Sequence, residues 1–364
     1  MKFLFLGDFY YDYSYIAKDI KEIEKYIAQT GCEVILNLEG APGDGGQPIE
    51  KRGPNLRQSP IIIDVLKHLS VKSVCLANNH SMDYGYEALK DGLAKLDKTG
   101  ILHAGAGKNN VIASEPIQIN DDGKKVIIQN YGWDVEETVY ATSDSPGCAP
   151  MDHEYIIKRT KELRGKNPDS CIINIFHWGF EFNTLPMPVD INLAHKCVDA
   201  GADLIIGHHP HVVQPVEEYC GKPIFYSLGN FYFSSRRDTF TRRFENEKYE
   251  NMCDYGIGVI YDTEEEKCEC IQIEYKRFKK VSTISENVTC LKNITGINWQ
   301  SEDYIKKAKL HSSGTNPILG LDNEYNTREI KKLYFKYAVS KKLSFLKNNK
   351  FGSRVYGFLK KHLS

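Results

Sequence analysis

Long apolar runs are missing: none approaches the roughly 20 residues a membrane-spanning helix requires. Net charge is nearly absent too, at −1 over 364 residues. No overall field therefore draws the chain toward a polyanion, and nucleic acid is not expected as a partner. Ten cysteines stand at scattered spacings without a CxxC pair, which excludes a legible disulfide framework. Cys75 and Cys171 read instead as small hydrophobes in core strands. Residues 1–8 turn acidic too soon for a signal peptide. The chain reads as cytoplasmic, with room for one large α/β domain and an appendage.

What is present is alternation. Residues 2–6 predict a buried strand ending at Asp8, and Ile16, Ile20, Ile23 and Ile27 follow at helical spacing over 16–29. A second strand over 34–36 ends in Asn37-Leu38-Glu39-Gly40, followed by a Gly/Pro-rich loop over 41–58 whose length suggests a function. A helix near 60–69, a strand over 73–76 and Asn78-Asn79-His80 come next, then a helix over 84–98. Later, a helix near 152–165 precedes a strand over 171–176 that ends in His177-Trp178-Gly179. A helix near 189–200 precedes a strand over 204–206 that ends in Gly207-His208-His209-Pro210-His211. Strands near 212–217 and 224–228 run into Gly229-Asn230-Phe231. This order predicts an α/β architecture with a second sheet packed on the first.

Composition divides the chain at about residue 262. Residues 263–327 read as a polar extension containing a strand from Cys268 to Tyr275. Residues 328–364 carry eleven Lys/Arg against one acid, interleaved with aromatics. Such a segment suits an anionic membrane surface, or equally a helix packed on the core.

Five strand ends supply candidate metal ligands: Asp8, Glu39, Asn79, His177, and the pair His209 and His211. Carboxylates neutralise a divalent charge, imidazoles give directional nitrogen ligands, and an amide oxygen adds a neutral one. Any one alone is ordinary turn chemistry. Their recurrence at successive strand ends is a stronger signal, because open α/β sheets bind ligands there.

The strings Asn37-Leu38-Glu39, Asn78-Asn79-His80-Ser81-Met82-Asp83-Tyr84-Gly85, His177-Trp178-Gly179-Phe180-Glu181, Gly207-His208-His209-Pro210-His211 and Tyr226-Ser227-Leu228-Gly229-Asn230-Phe231 closely resemble the CapA capsule-synthesis proteins. That family is named for poly-γ-glutamate capsule assembly and is similar to calcineurin-like metallophosphoesterases. The resemblance runs from about residue 1 to 235. It implies a four-layer α/β/β/α sandwich holding one or two divalent ions (Mn, Fe, Zn or Mg) at Asp8, Glu39, Asn79, His177, His209 and His211. It places His80 on the substrate as proton donor or transition-state stabiliser. His208 falls where the wider superfamily has glycine, and Asp8-Phe9-Tyr10 lacks the histidine of the usual Asp-x-His.

Around this set, Asn78, Asp83, Glu181, His208 and Asn230 are candidate supporting residues. Glu181, four residues after His177, reads as a partner for an imidazole N–H or equally as a plain loop acid, and Asp83 as fixing the loop and capping the following helix. Trp178 reads as a packed aromatic, and Lys51, Arg52 and Arg57 as solvated cations of the long loop. The implied function is metal-assisted hydrolysis of phosphate esters or diesters in capsule, exopolysaccharide or poly-γ-glutamate assembly, with a phosphorylated or polymeric anionic substrate. The alternatives are a non-catalytic accessory of a membrane-bound polymer synthase, peripheral at the inner face of the membrane, and a metal-dependent amide hydrolase acting on a γ-linked polymer.

Overall fold

A computed structural model describes residues 1–51, 54–121, 124–134, 138–234, 253–276 and 281–311. The chain divides into Met1–Ser312 and Ser313–Ser364. The second unit, with the basic segment 328–364, lies outside the described residues.

In chain order the first half runs β1 (Lys2–Tyr10), α1 (Lys18–Thr30), β2 (Glu33–Leu38), α2 (Ile62–His68), β3 (Val71–Cys75), α3 (Gly85–Thr99) and β4 (Leu102–Ala104). A short β5 (Ala106–Gly107), α4 (Asn110–Ala113), β6 (Ile117–Asp121), β7 (Lys124–Gly132) and β8 (Gly147–Cys148) follow. Then come α5 (His153–Lys166), β9 (Cys171–His177), α6 (Pro188–Asp199), β10 (Leu204–His208), β11 (Val216–Tyr219), β12 (Lys222–Phe225) and β13 (Asn230–Phe233). β14 (Tyr255–Asp262), β15 (Lys267–Lys276), β16 (Val281–Ser285) and α7 (Glu302–His311) complete the described elements.

One sheet has the order β16-β15-β14-β1-β2-β3-β4, with β13 also pairing β1; the other has the order β11-β12-β10-β9-β7-β6. The parallel strands β1, β2 and β3 form the middle of the first sheet, and β7, β9 and β10 that of the second. Side chains alternate across β1, as a strand of period two requires. Leu4 and Leu6 join Ile20, Ile23 and Ile27 of α1, Leu66 of α2 and Leu89 of α3 in an outer core. Phe3 and Phe5 point the other way, into a core shared with Ile128, Ile173 and Ile206 of the second sheet. On the far side, Ile127 and Ile172 pack on Leu163 of α5. Helices, sheet, sheet and helices therefore make four layers, the α/β/β/α sandwich that the resemblance implied. Each fully buried Phe or Ile side chain contributes roughly 1.5–3 kcal/mol to this stack.

The five predicted helices are α1, α2, α3, α5 and α6, displaced by only a few residues at their ends. α1 and α3 stop at Gly31 and Gly100, both left-handed. Asp152 caps α5 by accepting from Tyr155 N at 3.0 Å. The strand expected over Cys268 to Tyr275 forms as β15 and pairs antiparallel with β14 from Asp262↔Lys267 to Tyr255↔Glu274, so it continues the first sheet. The stretch read as a polar extension also holds β16 and α7, and its residue Ile294 donates N–H to Val216 O at 2.9 Å. Among the described residues, no helix is long and apolar enough to cross a membrane.

Candidate metal centre

The ligands arise where both sheets present the carboxyl ends of their parallel strands. Along β1, Gly7 lets the backbone approach Gly229: a Cβ there would stand 2.0 Å from Gly229 O. That approach sets Asp8 opposite Asn230 in the parallel β1–β13 pair. β2 brings Asn37, whose Nδ2 donates to Asp8 Oδ1 at 2.8 Å, and Glu39 follows just past the strand end. Glu39 is fixed through its backbone, donating N–H to Phe9 O at 3.0 Å and accepting from Gln58 Nε2 at 2.6 Å. After β3, Asn78 knits the turn: its amide donates to Leu38 O at 2.9 Å, and its Oδ1 accepts from His80 N at 3.2 Å.

The second sheet supplies the histidines. β9 and β10 end in register, with His177 opposite His208. Gly207 is required here, since a Cβ would meet Tyr226 O at 2.0 Å and Trp178 Nε1 at 2.4 Å. Beyond the strand, His209 and His211 adopt φ of 95° and 56°. Left-handed backbone at non-glycine residues costs about 1–3 kcal/mol each and gathers at functional sites. The conformation turns both imidazoles back over the strand ends.

The result is a wholly buried polar cluster. Asp8 and Glu39 are each 0% exposed, and Asn79, His177, His209 and His211 are also buried. His209 donates its backbone N–H to Asp8 Oδ2 at 3.2 Å, and His211 Nδ1 lies 3.3 Å from the same oxygen. His208 Nδ1 is 3.3 Å from Asp8 Oδ1 without hydrogen-bond geometry. His177 Nε2 is 2.9 Å from Asn79 Oδ1 and 3.1 Å from His209 Nδ1. Asn230 Oδ1 holds His211 Nδ1 at 2.9 Å.

Glu39 is the anomaly at the centre. Its Oε1 lies 3.6 Å from His211 Nε2, 3.8 Å from His80 Nε2 and 4.0 Å from His177 Nε2. Yet neither carboxylate oxygen has a hydrogen-bond partner among the described residues, and nor do His209 Nε2 and Asn79 Nδ2. A buried carboxylate normally carries several bonds, and leaving one bare is expensive. Two ligand triads share this residue: Glu39, His177 and His209, and Asp8, Glu39 and His211, each with donor atoms within 4.8 Å of one another. Mixed oxygen and imidazole donors of this kind suit a divalent transition ion or zinc. The residues fit the metal that the resemblance implies.

Electrostatics without a cation shows the same demand. Burial, with Asp8 nearby, pushes the Glu39 carboxyl well above its usual range despite His211. Burial also acts to raise Asp8, but the His208 and His211 imidazoles beside it outweigh burial and hold Asp8 well below. Burial and neighbouring histidines lower His177, and lower His209 to about 3, so both stay neutral and available as ligands. Burial would lower His211 as well, but Glu39 and Asp8 outweigh it and raise it to about 10.

Thus Asp8, Glu39, Asn79, His177, His209 and His211, drawn from five separate strand ends, meet in one place, with His80, His208 and Asn230 against them. Asp83 meets His80 through Oδ2 at 2.7 Å. It does not cap α3, whose N-cap is Tyr84 without a side-chain bond. Glu181 is half-buried and acts through charge on Glu39 and on the His211 imidazole, while the ring nitrogens of His177 face Asn37 and Asn79. Trp178 is packed, stacking on Phe176 at 4.7 Å and donating Nε1–H to Tyr226 O at 2.8 Å.

Two residues escaped sequence reasoning. Asn37 touches Asp8 and lies beside His177, and its signal was its place one strand residue before Leu38-Glu39. Lys51 is not solvated: its side chain is 0% exposed and its Nζ sits 2.5 Å from Asp83 Oδ1. Arg57 lies over the Tyr84 ring at 3.7 Å, and Arg52 falls outside the described residues.

The family model of the bacterial capsule synthesis protein PGA_cap matches residues 5–235. The PGA biosynthesis protein CapA of Bacillus subtilis is 38% identical over 172 residues, covering 47% of this chain and 45% of that one. The capsule biosynthesis protein CapA of Bacillus anthracis is 34% identical over 174 residues, covering 47% and 42%. A probable polyglutamine synthesis accessory protein of Mycobacterium tuberculosis is 30% identical over 205 residues, covering 54% of each. The chain thus spans about half the length of the curated relatives it matches. Among solved structures, a putative 5′-nucleotidase from Staphylococcus aureus aligns with a TM-score of 0.45 at 12% identity, over 85% of this chain and 57% of that one.

Proposed function

Because the chain belongs to the bacterial capsule synthesis family PGA_cap, we propose that it is a metal-dependent hydrolase of phosphate esters or diesters serving assembly of a capsule, exopolysaccharide or poly-γ-glutamate. One observation carries this reading: the bare, fully buried Glu39 carboxylate, ringed by imidazole nitrogens at 3.6–4.0 Å. Glu39, His177 and His209 would hold one divalent ion, and Asp8, Glu39 and His211 a second, with Asn79 beside the first. Such ions supply Lewis-acid stabilisation of a phosphoryl oxygen and acidify water at neutral pH.

The chain's own residues prepare the rest. Asp83 binds Nδ1 of His80, and Nε2 faces Glu39 across 3.8 Å. His80 is therefore aimed into the cluster from outside both triads, where it can pass a proton to a leaving oxygen. Asn230 orients His211, and Asn37 orients Asp8, each by a single hydrogen bond of 2.8–2.9 Å. The substrate is a phosphorylated or polymeric anion, and the basic segment 328–364 serves to keep the protein beside an anionic membrane surface and its synthase.

A second reading, a non-catalytic accessory of a membrane-bound synthase, is favoured by Tyr10 standing where the superfamily's Asp-x-His has histidine. The accessory protein from Mycobacterium tuberculosis points the same way by its description. Metal content of protein purified without chelator, measured beside hydrolysis of bis(p-nitrophenyl) phosphate and of a γ-glutamyl anilide, separates the readings. Bound metal with phosphodiester turnover supports the hydrolase. Anilide turnover alone makes the site an amidase. Bound metal without turnover, or no metal, leaves the accessory.

A further inference from the structure

Lys51 enters the protein interior from the Gly/Pro-rich loop over 41–58, and its side chain and that of Asp83 are 0% and 1% exposed. Its ammonium donates to Asp83 Oδ1 at 2.5 Å and to Asn79 O at 3.0 Å, and lies 3.1 Å from His80 Nδ1. An ammonium has three protons. Two are committed to oxygens, and the third direction meets the ring nitrogen that Asp83 already holds. Such a lysine has little left to offer a substrate. What it does control is Asp83.

The Asp83 carboxylate is gripped on both sides. Lys51 takes Oδ1, while Oδ2 accepts from Leu56 N at 2.6 Å and faces His80 Nδ1 at 2.7 Å. Rotation of the carboxylate would break the first contact to gain nothing. With Oδ2 fixed, the imidazole is held by Nδ1 and its Nε2 stays directed at Glu39. The loop has further anchors: Ile49 N and Asn55 Nδ2 both donate to Asp83 O at 2.8 Å, and Arg57 lies over Tyr84. The loop can therefore stay seated without Lys51, which isolates the contribution of the ammonium.

We propose that Lys51 is a positioning residue for His80: through Asp83 it fixes which imidazole nitrogen is turned to the reacting group. The proposal rests on the hydrolase reading for its effect on turnover, and on geometry alone for its effect on His80.

The test uses the full chain with Lys51→Met, Lys51→Gln, Lys51→Arg and the loop control Arg57→Ala. Metal content, kcat and KM on bis(p-nitrophenyl) phosphate, and long-range 1H–15N NMR of the His80 ring are read for each. Lys51→Met and Lys51→Gln should keep metal and KM. Their kcat should fall on the order of 10- to 100-fold, the usual consequence of a misplaced group. In both, the His80 ring should change from one tautomer, protonated on Nδ1, to a mixture, while Lys51→Arg recovers much of both signals and Arg57→Ala leaves them unchanged. An unaltered His80 spectrum in Lys51→Gln overturns the proposal, as does the same spectral change in Arg57→Ala, which would assign the effect to loop seating. Should the wild-type chain prove inactive, the hydrolase reading fails, and the ring spectra still decide for or against Lys51. If Lys51→Met does not fold, Lys51→Gln against Lys51→Arg gives the same contrast.

Discussion

Replacing Glu39 by glutamine should move stability in opposite directions with and without metal. Burial beside Asp8 raises the Glu39 carboxyl well above its ordinary value. Between the unfolded and the raised folded values, the folded chain binds more protons than the unfolded one, so metal-free stability falls as pH rises through that window. Glutamine keeps the volume and abolishes the ionisation. At the acid end of the window the two chains should match, since both present a neutral group. At the alkaline end the variant should lead by roughly 1–3 kcal/mol, the scale of an unsatisfied buried polar group. For a domain of this size that is a gain of a few degrees in Tm, at about 2–4 °C per kcal/mol. Metal reverses the order: a site at 100 times its Kd adds about 2.7 kcal/mol, and the variant has lost the ligand both triads share. Thermal unfolding by circular dichroism in EDTA and in excess Mn2+, at several pH values, reads all of this. An equal metal-induced rise in Tm for both chains, or a metal-free variant less stable at every pH, would refute the reasoning.

His209→Ala and His211→Ala should each strip most bound metal from an otherwise folded protein, as read by elemental analysis; unchanged stoichiometry in both would remove the centre. His80→Ala should retain metal and lose about 10²–10⁴ in turnover, and a metal-free variant would instead make His80 a ligand. Because Glu39 and Asp8 outweigh burial and raise His211 to about 10, this ring is charged at pH 7 without metal and must lose its proton to bind one. Apparent affinity should rise with pH up to that value, and calorimetry in buffers of differing ionisation heat should register proton release. A chain ending at residue 327 should lose salt-sensitive sedimentation with anionic vesicles, at up to about 1 kcal/mol per basic residue, and keep its metal; equal sedimentation of the two chains would place 328–364 elsewhere.

The strand ends were legible because strand, polar turn and helix each leave a local mark, and the site inherits that punctuation. Asp8, Glu39, Asn79, His177 and the 208–211 loop could therefore be found without knowing which strands are neighbours. What stayed hidden was long-range. The antiparallel pair β6 and β7 supplies an inner strand of the second sheet, and its signal, apolar residues on either side of Asp122-Gly123, lay in a stretch that the motif pattern passes over. Lys51 looked solvated because a charged residue in a Gly/Pro-rich loop usually is; only its meeting with Asp83, 32 residues on, buries it. Positive φ at His209 and His211 carries no sequence signature beyond the neighbouring proline. The parallel pairing of β13 with β1, which sets Asn230 opposite Asp8, depends on two glycines more than 200 residues apart whose backbones nearly touch.

The distribution of the ligands over both sheets bears on how the protein becomes native. Asp8 meets His209 across a sequence separation of 201 residues, and neither sheet alone carries a complete triad. Contacts of such separation close late, after the chain entropy of the intervening loop has been lost. A metal ion cannot nucleate this fold as it nucleates a zinc finger. It can only recognise a chain whose two sheets have already docked, so tight metal uptake during synthesis would mark the end of folding, and a nascent chain stalled before residue 209 would complete neither triad.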